Sequence, residues 1–155
     1  MRLERGFTLV ELIVAIALLG ILAAVISPRL TTPLGEAVLN ARAFEIAHDI
    51  RRVQQLAVTS GKYHIFEIHT VNRVYNIRPE NPMETPLKTV NFDTQITSIT
   101  SNFQPDSGGW RRLTYTPTGS PGRTGEVVIF DARGRGRAII VATITGRVRI
   151  EVRTR

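Results

Sequence analysis

From Phe7 to Ile26 almost every position is apolar; only Thr8, Glu11 and Gly20 interrupt the run. Twenty residues of helix rise about 30 Å, the thickness of a bilayer's hydrocarbon core, so the pattern predicts a membrane-spanning helix over 7–26. Pro28 and the run Pro33-Leu34-Gly35 then predict a bend or break, a connector over 27–35. From Glu36 to Ser60 the period becomes that of an amphipathic helix. Leu39, Ala43, Ile46, Ile50, Val53 and Ala57 recur at spacings of four and three, with Arg42, Glu45, Asp49, Arg52 and Gln55 on the other side. About three heptads without a charge pattern fit packing on a sheet better than a coiled-coil seam. Ser60-Gly61 marks the end, glycine suiting the left-handed residue after a helix.

Beyond Gly61 the period is two. Residues 63–69 and 74–77 predict a hairpin turning at Val71-Asn72-Arg73, and shorter strands are expected at 89–92, 95–100 and 113–116. Proline, glycine and polar residues fill 79–86 and most of 101–125. The last third predicts strands at 126–130, 137–144 and 147–152, with turns at Ala132-Arg133-Gly134 and Thr145-Gly146. The expected fold class is α+β: an N-terminal membrane-spanning helix continues into an amphipathic helix packed on an antiparallel β-sheet.

Of the 155 residues, about 130 lie beyond the apolar run, enough for one domain with a modest core. Cysteine is absent, which excludes disulfides and thiol chemistry. The formal charge is +7, and all the cationic side chains except Lys62 and Lys88 are arginine, which keeps its charge and forks onto carboxylate or phosphate. Catalysis finds no support, and no metal or cofactor is expected. His64 falls on the opposite strand face from Glu67 and His69, which argues against a metal cluster. His48 beside Asp49 has no nucleophile nearby in sequence, and Gly119 to Gly125 lacks the lysine of a phosphate loop. Trp110 beside Arg111 and Arg112 is a lone aromatic in a loop, a weak base-stacking signal.

The unusual feature of the apolar run is Glu11. An isolated charge in lipid is costly, so a sequence that keeps one supplies a partner for it. A secretory signal peptide would have Arg2 and Arg5 as its basic region and a small-residue cut among Ala15, Ala17, Ala23 and Ala24, yet this run is too long and contains an acid. A plain membrane anchor explains neither Glu11 nor the Gly6-Phe7 junction. The stretch Arg5-Gly6-Phe7-Thr8-Leu9-Val10-Glu11-Leu12, with its apolar helix and Ser27-Pro28, resembles type IV prepilins and type II secretion pseudopilins. The resemblance implies a cytoplasmic leader at 1–6, cleavage between Gly6 and Phe7 by a prepilin peptidase, methylation of Phe7, and a role for Glu11 in assembly. Physically, cleavage creates a largely cationic α-amino group about 6 Å of helix rise from Glu11, so the acid gains a counter-charge within one chain or between staggered neighbours. Residues 36–155 are then expected outside the bacterial inner membrane, in a pilus or pseudopilus after assembly.

The later sequence resembles the H-type pseudopilins and related minor pilins. The matching strings are residues 51–61, Phe130-Asp131-Ala132-Arg133-Gly134 and Thr145-Gly146-Arg147-Val148-Arg149. In that branch some minor pilins bind DNA through a glycine-arginine-x-arginine element, which Gly146-Arg147-Val148-Arg149 fits. Arg147, Arg149, Arg153 and Arg155 share one strand parity, spaced about 6.6 Å apart, and Arg133, Arg135 and Arg137 form a second cluster. The alternatives are an edge strand protected by charge, or contact with acidic neighbouring subunits. The preferred expectation is therefore a minor pseudopilin of a secretion pseudopilus. Its partners would be the peptidase, other pilin-type subunits, an assembly platform and, before assembly, membrane lipid. A DNA-uptake minor pilin, or an anchored binding module that never polymerises, are the alternatives.

Overall fold

A computed structural model describes residues 8–155 apart from Ile144, with the side chains of 24–34 left out. Two compact units divide between Gly35 and Glu36. A single helix, α1, is assigned over Leu9–Ser60. The expected connector over 27–35 is thus helical in its backbone. Pro28 and Pro33 each remove one donor from a helical ladder whose other donors remain, so the helix can continue through them.

Among the described residues of the unit from Glu36 onward, nine strands follow α1: β1 (His64–His69), β2 (Val74–Pro79), β3 (Lys88–Asn91), β4 (Ile96–Ser101), β5 (Gln104–Pro105), β6 (Trp110–Tyr115), β7 (Gly125–Asp131), β8 (Arg135–Val141) and β9 (Val148–Thr154). They make two sheets rather than the one expected. The first has the order β3-β2-β1-β6-β5 and the second β4-β7-β8-β9, with every pairing antiparallel. The helix bridges them. Its apolar stripe, from Leu39 to Ala57, is buried with Phe66, Ile68, Tyr75, Ile77 and Leu113 of the first sheet and with Ile99, Val127, Ile129, Ile139 and Val141 of the second. Each of the buried valine, leucine, isoleucine and phenylalanine side chains adds about 1.5–3 kcal/mol by leaving water, which is why the period-3.6 stripe fixes where the helix lies.

Polar side chains on the helix's two flanks secure each sheet. On one flank Asp49 accepts from the Tyr75 hydroxyl at 2.6 Å and from Lys88 Nζ at 2.6 Å, while Arg42 reaches Glu45 and Asp93. Asp49 is therefore buried, not on the solvent side as its helical position suggested. On the other flank Arg137 donates to Asn40 at 2.6 Å and to Glu36 at 3.2 Å, Arg51 donates to the Val148 carbonyl at 3.0 Å, and Gln54 to the Gly119 carbonyl at 2.7 Å. Gly61, at φ 64°, ends α1 in the left-handed conformation that glycine adopts without strain. The two-residue strand β5 had no signal in the sequence, since Pro105 disguises it.

Candidate functional site

The first candidate lies at the start of α1. Glu11 Oε2 accepts from the Thr8 backbone N–H at 2.9 Å and from the Thr8 hydroxyl at 3.0 Å, and the Glu11 N–H returns a bond to Thr8 Oγ1 at 3.3 Å. This is a capping box, which satisfies donors that a helix start leaves unpaired. Its threonine-x-x-glutamate spacing was present in the sequence, yet Thr8 was overlooked there. Gly6 and Phe7, the expected cleavage and methylation residues, lie outside the described residues, as does the rest of the 1–6 leader. Leu9, Val10, Leu12, Ile13, Val14, Ile16, Leu18, Leu19, Ile21 and Leu22 are all exposed by more than half. Among the described residues no helix is long and apolar enough to cross a membrane; the side chains of the expected 7–26 span are described from Thr8 to Ala23 only.

The second candidate, the arginine set, divides in the structure. Arg137 is buried and tied to α1. Arg135 pairs with Asp131 at 2.7 Å. The Asp131 carboxylate also accepts from the backbone N–H groups of Arg133 at 2.9 Å and Arg135 at 3.0 Å, closing the β7–β8 turn. Arg135 and Arg137 are thus fold-building residues, and Arg133 lies in the turn that Asp131 organises. Burial pushes the Asp131 pKa up, but the Arg135 side chain and the two backbone donors more than offset it and hold the carboxyl below its ordinary value. A depressed folded pKa gives stability that is present above the unfolded value, near 3.9, and lost as pH falls through the folded one. We therefore expect Asp131→Asn to be less stable than wild type at pH 6, with the gap narrowing at pH 3. Urea midpoints of the detergent-solubilised full chain, followed by Trp110 fluorescence, check this.

Arg149, Arg153 and Glu151 share the face of β9 that also holds Ala138 and Ile140 of β8, because Glu151 pairs with Ala138 and Arg149 with Ile140. Sequence parity placed the arginines together, as observed, but missed that Glu151 shares their face. Glu151 meets Arg149 at 3.1 Å and Arg153 at 3.6 Å; Arg153 also reaches Glu126 at 3.4 Å. Arg155 lies over the Phe130 ring, 5.9 Å from its centroid. Arg147 and Arg149 line an open groove of about 570 Å³ with Asn102, Thr124 and Glu126. Gly146 precedes them at φ 62°, where a Cβ would meet Gln54 Nε2 at 2.7 Å, so the turn alone demands glycine there.

Elsewhere, His64 is buried on the inner face of β1, while Glu67, on the opposite face, is buried beneath Arg78 and Arg112. Among the described residues no cluster of three or more acidic or histidine side chains could hold a metal ion. Trp110 packs edge-on against His69, with ring centroids 5.3 Å apart.

Residues 1–27 match the family model described as the prokaryotic N-terminal methylation motif. No match to the chain is found among curated proteins. Among solved structures the chain is similar to the type IV minor pilin FimU of Pseudomonas aeruginosa, at 16% identity and TM-score 0.56 over 73% of this chain and 92% of that one. It is similar also to the minor pseudopilin EpsH of the type 2 secretion system of Vibrio cholerae, at 12% identity and TM-score 0.56 over 74% of this chain and 96% of that one. At such identities the likeness is one of fold: a helix packed on antiparallel sheets, the pilin-like α+β architecture.

Proposed function

We propose, from the premise that the chain belongs by motif and fold to the type IV pilin and pseudopilin family, that it is a minor pseudopilin of the H type. In this reading it is a structural subunit of a secretion pseudopilus and not an enzyme. A prepilin peptidase cuts between Gly6 and Phe7, and Phe7 is methylated. The 7–26 helix holds the protein in the inner membrane, with 36–155 outside, until an assembly platform moves it into the fibre. The observation that carries this reading is the Thr8–Glu11 capping box, which puts an acid in the first turn of a helix that from Leu9 to Ala23 is otherwise apolar and exposed. A helix that is apolar all round is stable only when covered, first by lipid and then by the helices of other subunits. Cleavage after Gly6 sets a cationic amine beside that acid, which removes the penalty of an unmatched charge.

The experiment is mass spectrometry of the membrane-extracted protein. An N-terminal peptide beginning at methylated Phe7 is expected, whereas Gly6→Val should retain Met1 and stay in the membrane fraction. Wild-type protein that keeps Met1, or is cut near Ala24, overturns the reading. The alternative, a minor pilin of DNA uptake, draws on Arg147 and Arg149 beside their groove. It is the weaker reading, because Glu151 and Glu126 interrupt the arginine face that a run of phosphates would need, and Arg135 and Arg137 belong to the fold.

A further inference from the structure

Two sheets leave four edge strands, and three of them are blunted. Lys88 and only four residues limit β3, β4 is interrupted by a register shift between Ile96 and Ser98, and β5 is two residues long and holds Pro105. β9 is guarded by charge alone, Arg149, Glu151 and Arg153 on one face. Its seven residues contain no proline and no bulge, and on its helix-facing side it carries Val148, Ile150, Val152 and Thr154, none of them charged.

Which backbone groups are open follows from two bonds. Arg155 N–H donates to the Gly134 carbonyl at 3.0 Å, and Ala142 N–H to the Arg147 carbonyl at 3.0 Å. Odd-numbered residues of β9 therefore bond inward to β8, and the even-numbered ones point their N–H and C=O groups outward. The Val148 carbonyl is capped by Arg51. Ile150, Val152 and Thr154 keep theirs directed away from the sheet. Beside this edge lies an apolar strip. Phe44, 66% exposed, sits one turn from Asn40 on the α1 flank that carries Arg51 and faces β8 and β9. Val152 is 69% exposed and Ile150 partly so.

We infer that the β9 edge is a strand-addition site for an extended segment of another protein whose residues alternate acidic and apolar. Main-chain bonds to Ile150, Val152 and Thr154 would supply affinity, and alternate side chains specificity. On the helix side an apolar residue of the incoming strand lies against Val152 and Phe44. On the other face it meets Arg149 and Arg153, with Arg147 and Arg155 beyond; Glu151, shared between Arg149 and Arg153, and Glu126, against Arg153, offset only part of that charge. A second copy's β9, laid antiparallel and centred on Glu151, would set Arg149 against Arg153 and Glu151 against Glu151; centred on Ile150 it would pair Glu151 with Arg149 but set Arg147 against Arg153. An acidic strand brings no cation to this face and is the better match. This inference does not depend on filament assembly.

The probes are two synthetic peptides of about eight residues, one alternating glutamate with valine and one alternating lysine with valine, titrated into the detergent-solubilised full chain and followed by fluorescence anisotropy and amide exchange. The acidic peptide should bind at least tenfold more tightly than the basic one and slow exchange at Ile150, Val152 and Thr154. Val152→Pro deletes an outward N–H that the β8–β9 ladder does not use, and should weaken acidic-peptide binding tenfold or more while the β8 amides stay protected. Arg149→Glu should shift the preference toward the basic peptide, a change that unfolding cannot mimic. Equal binding of both peptides, an unaltered affinity in Val152→Pro with β8 protected, or binding of duplex DNA with neither peptide bound, overturns the inference.

Discussion

Asp49→Ala is expected to destabilise the folded unit by about 3 kcal/mol, read as a lower urea midpoint of the full chain in detergent. The carboxylate is buried and joins helix to sheet through the Tyr75 hydroxyl and Lys88. Removing it affects its partners unequally. Lys88 is 30% exposed in its side chain and keeps Glu45 at 3.4 Å, so it turns to water or to that carboxylate. The Tyr75 hydroxyl has neither escape, since the residue is 1% exposed, and burial, reinforced by its bond to Asp49, already raises its pKa far above that of an ordinary phenol. A buried donor left unpaired costs more than the bond itself was worth. The double variant Asp49→Ala/Tyr75→Phe should therefore be less destabilised than the two single changes added together, because the second removes the donor that the first stranded. Simple additivity would mean that the cost comes from the cavity alone.

That cluster also shows where sequence reasoning reaches its limit. The apolar stripe from Leu39 to Ala57 was legible because burial on a helix imposes a period of 3.6, and all six of its residues are buried. Strands β7, β8 and β9 were legible from alternation and from the turns between them. Asp49 was not, since a carboxylate on a helix flank reads as solvent-facing until a tyrosine and a lysine distant in the chain are seen to meet it. The division into two sheets was hidden for a similar reason. Strand period reports which face is buried, not which strand is the neighbour, and β6 pairs with β1 across 40 intervening residues. Arg137 illustrates the opposite error. Its spacing with Arg133 and Arg135 suggested a surface cluster, while pairing with Glu36 and Asn40 turns it inward. Charge pattern in sequence gives local sign, but not the partners that neutralise it.

Glu11→Ala is expected to lower incorporation into the filament more than tenfold while leaving the urea midpoint of the folded unit unchanged. The difficulty in reading such a loss is that Glu11 has two physical roles. It closes the capping box with Thr8, and it carries a negative charge in an apolar segment. Glu11→Gln separates them, because glutamine completes a capping box as glutamate does but cannot match a cationic chain end. Thr8→Ala makes the reverse cut, since it removes the hydroxyl partner and keeps the acid. If assembly depends on the charge pair with the processed Phe7 amine, Glu11→Gln should fail nearly as badly as Glu11→Ala, and Thr8→Ala should assemble at close to the wild-type level. Counting this subunit against its neighbours in sheared filaments, by quantitative immunoblot, measures all three. Wild-type incorporation of Glu11→Gln, together with loss in Thr8→Ala, would show that Glu11 serves only to start the helix, and the counter-charge at Phe7 would drop out of the mechanism.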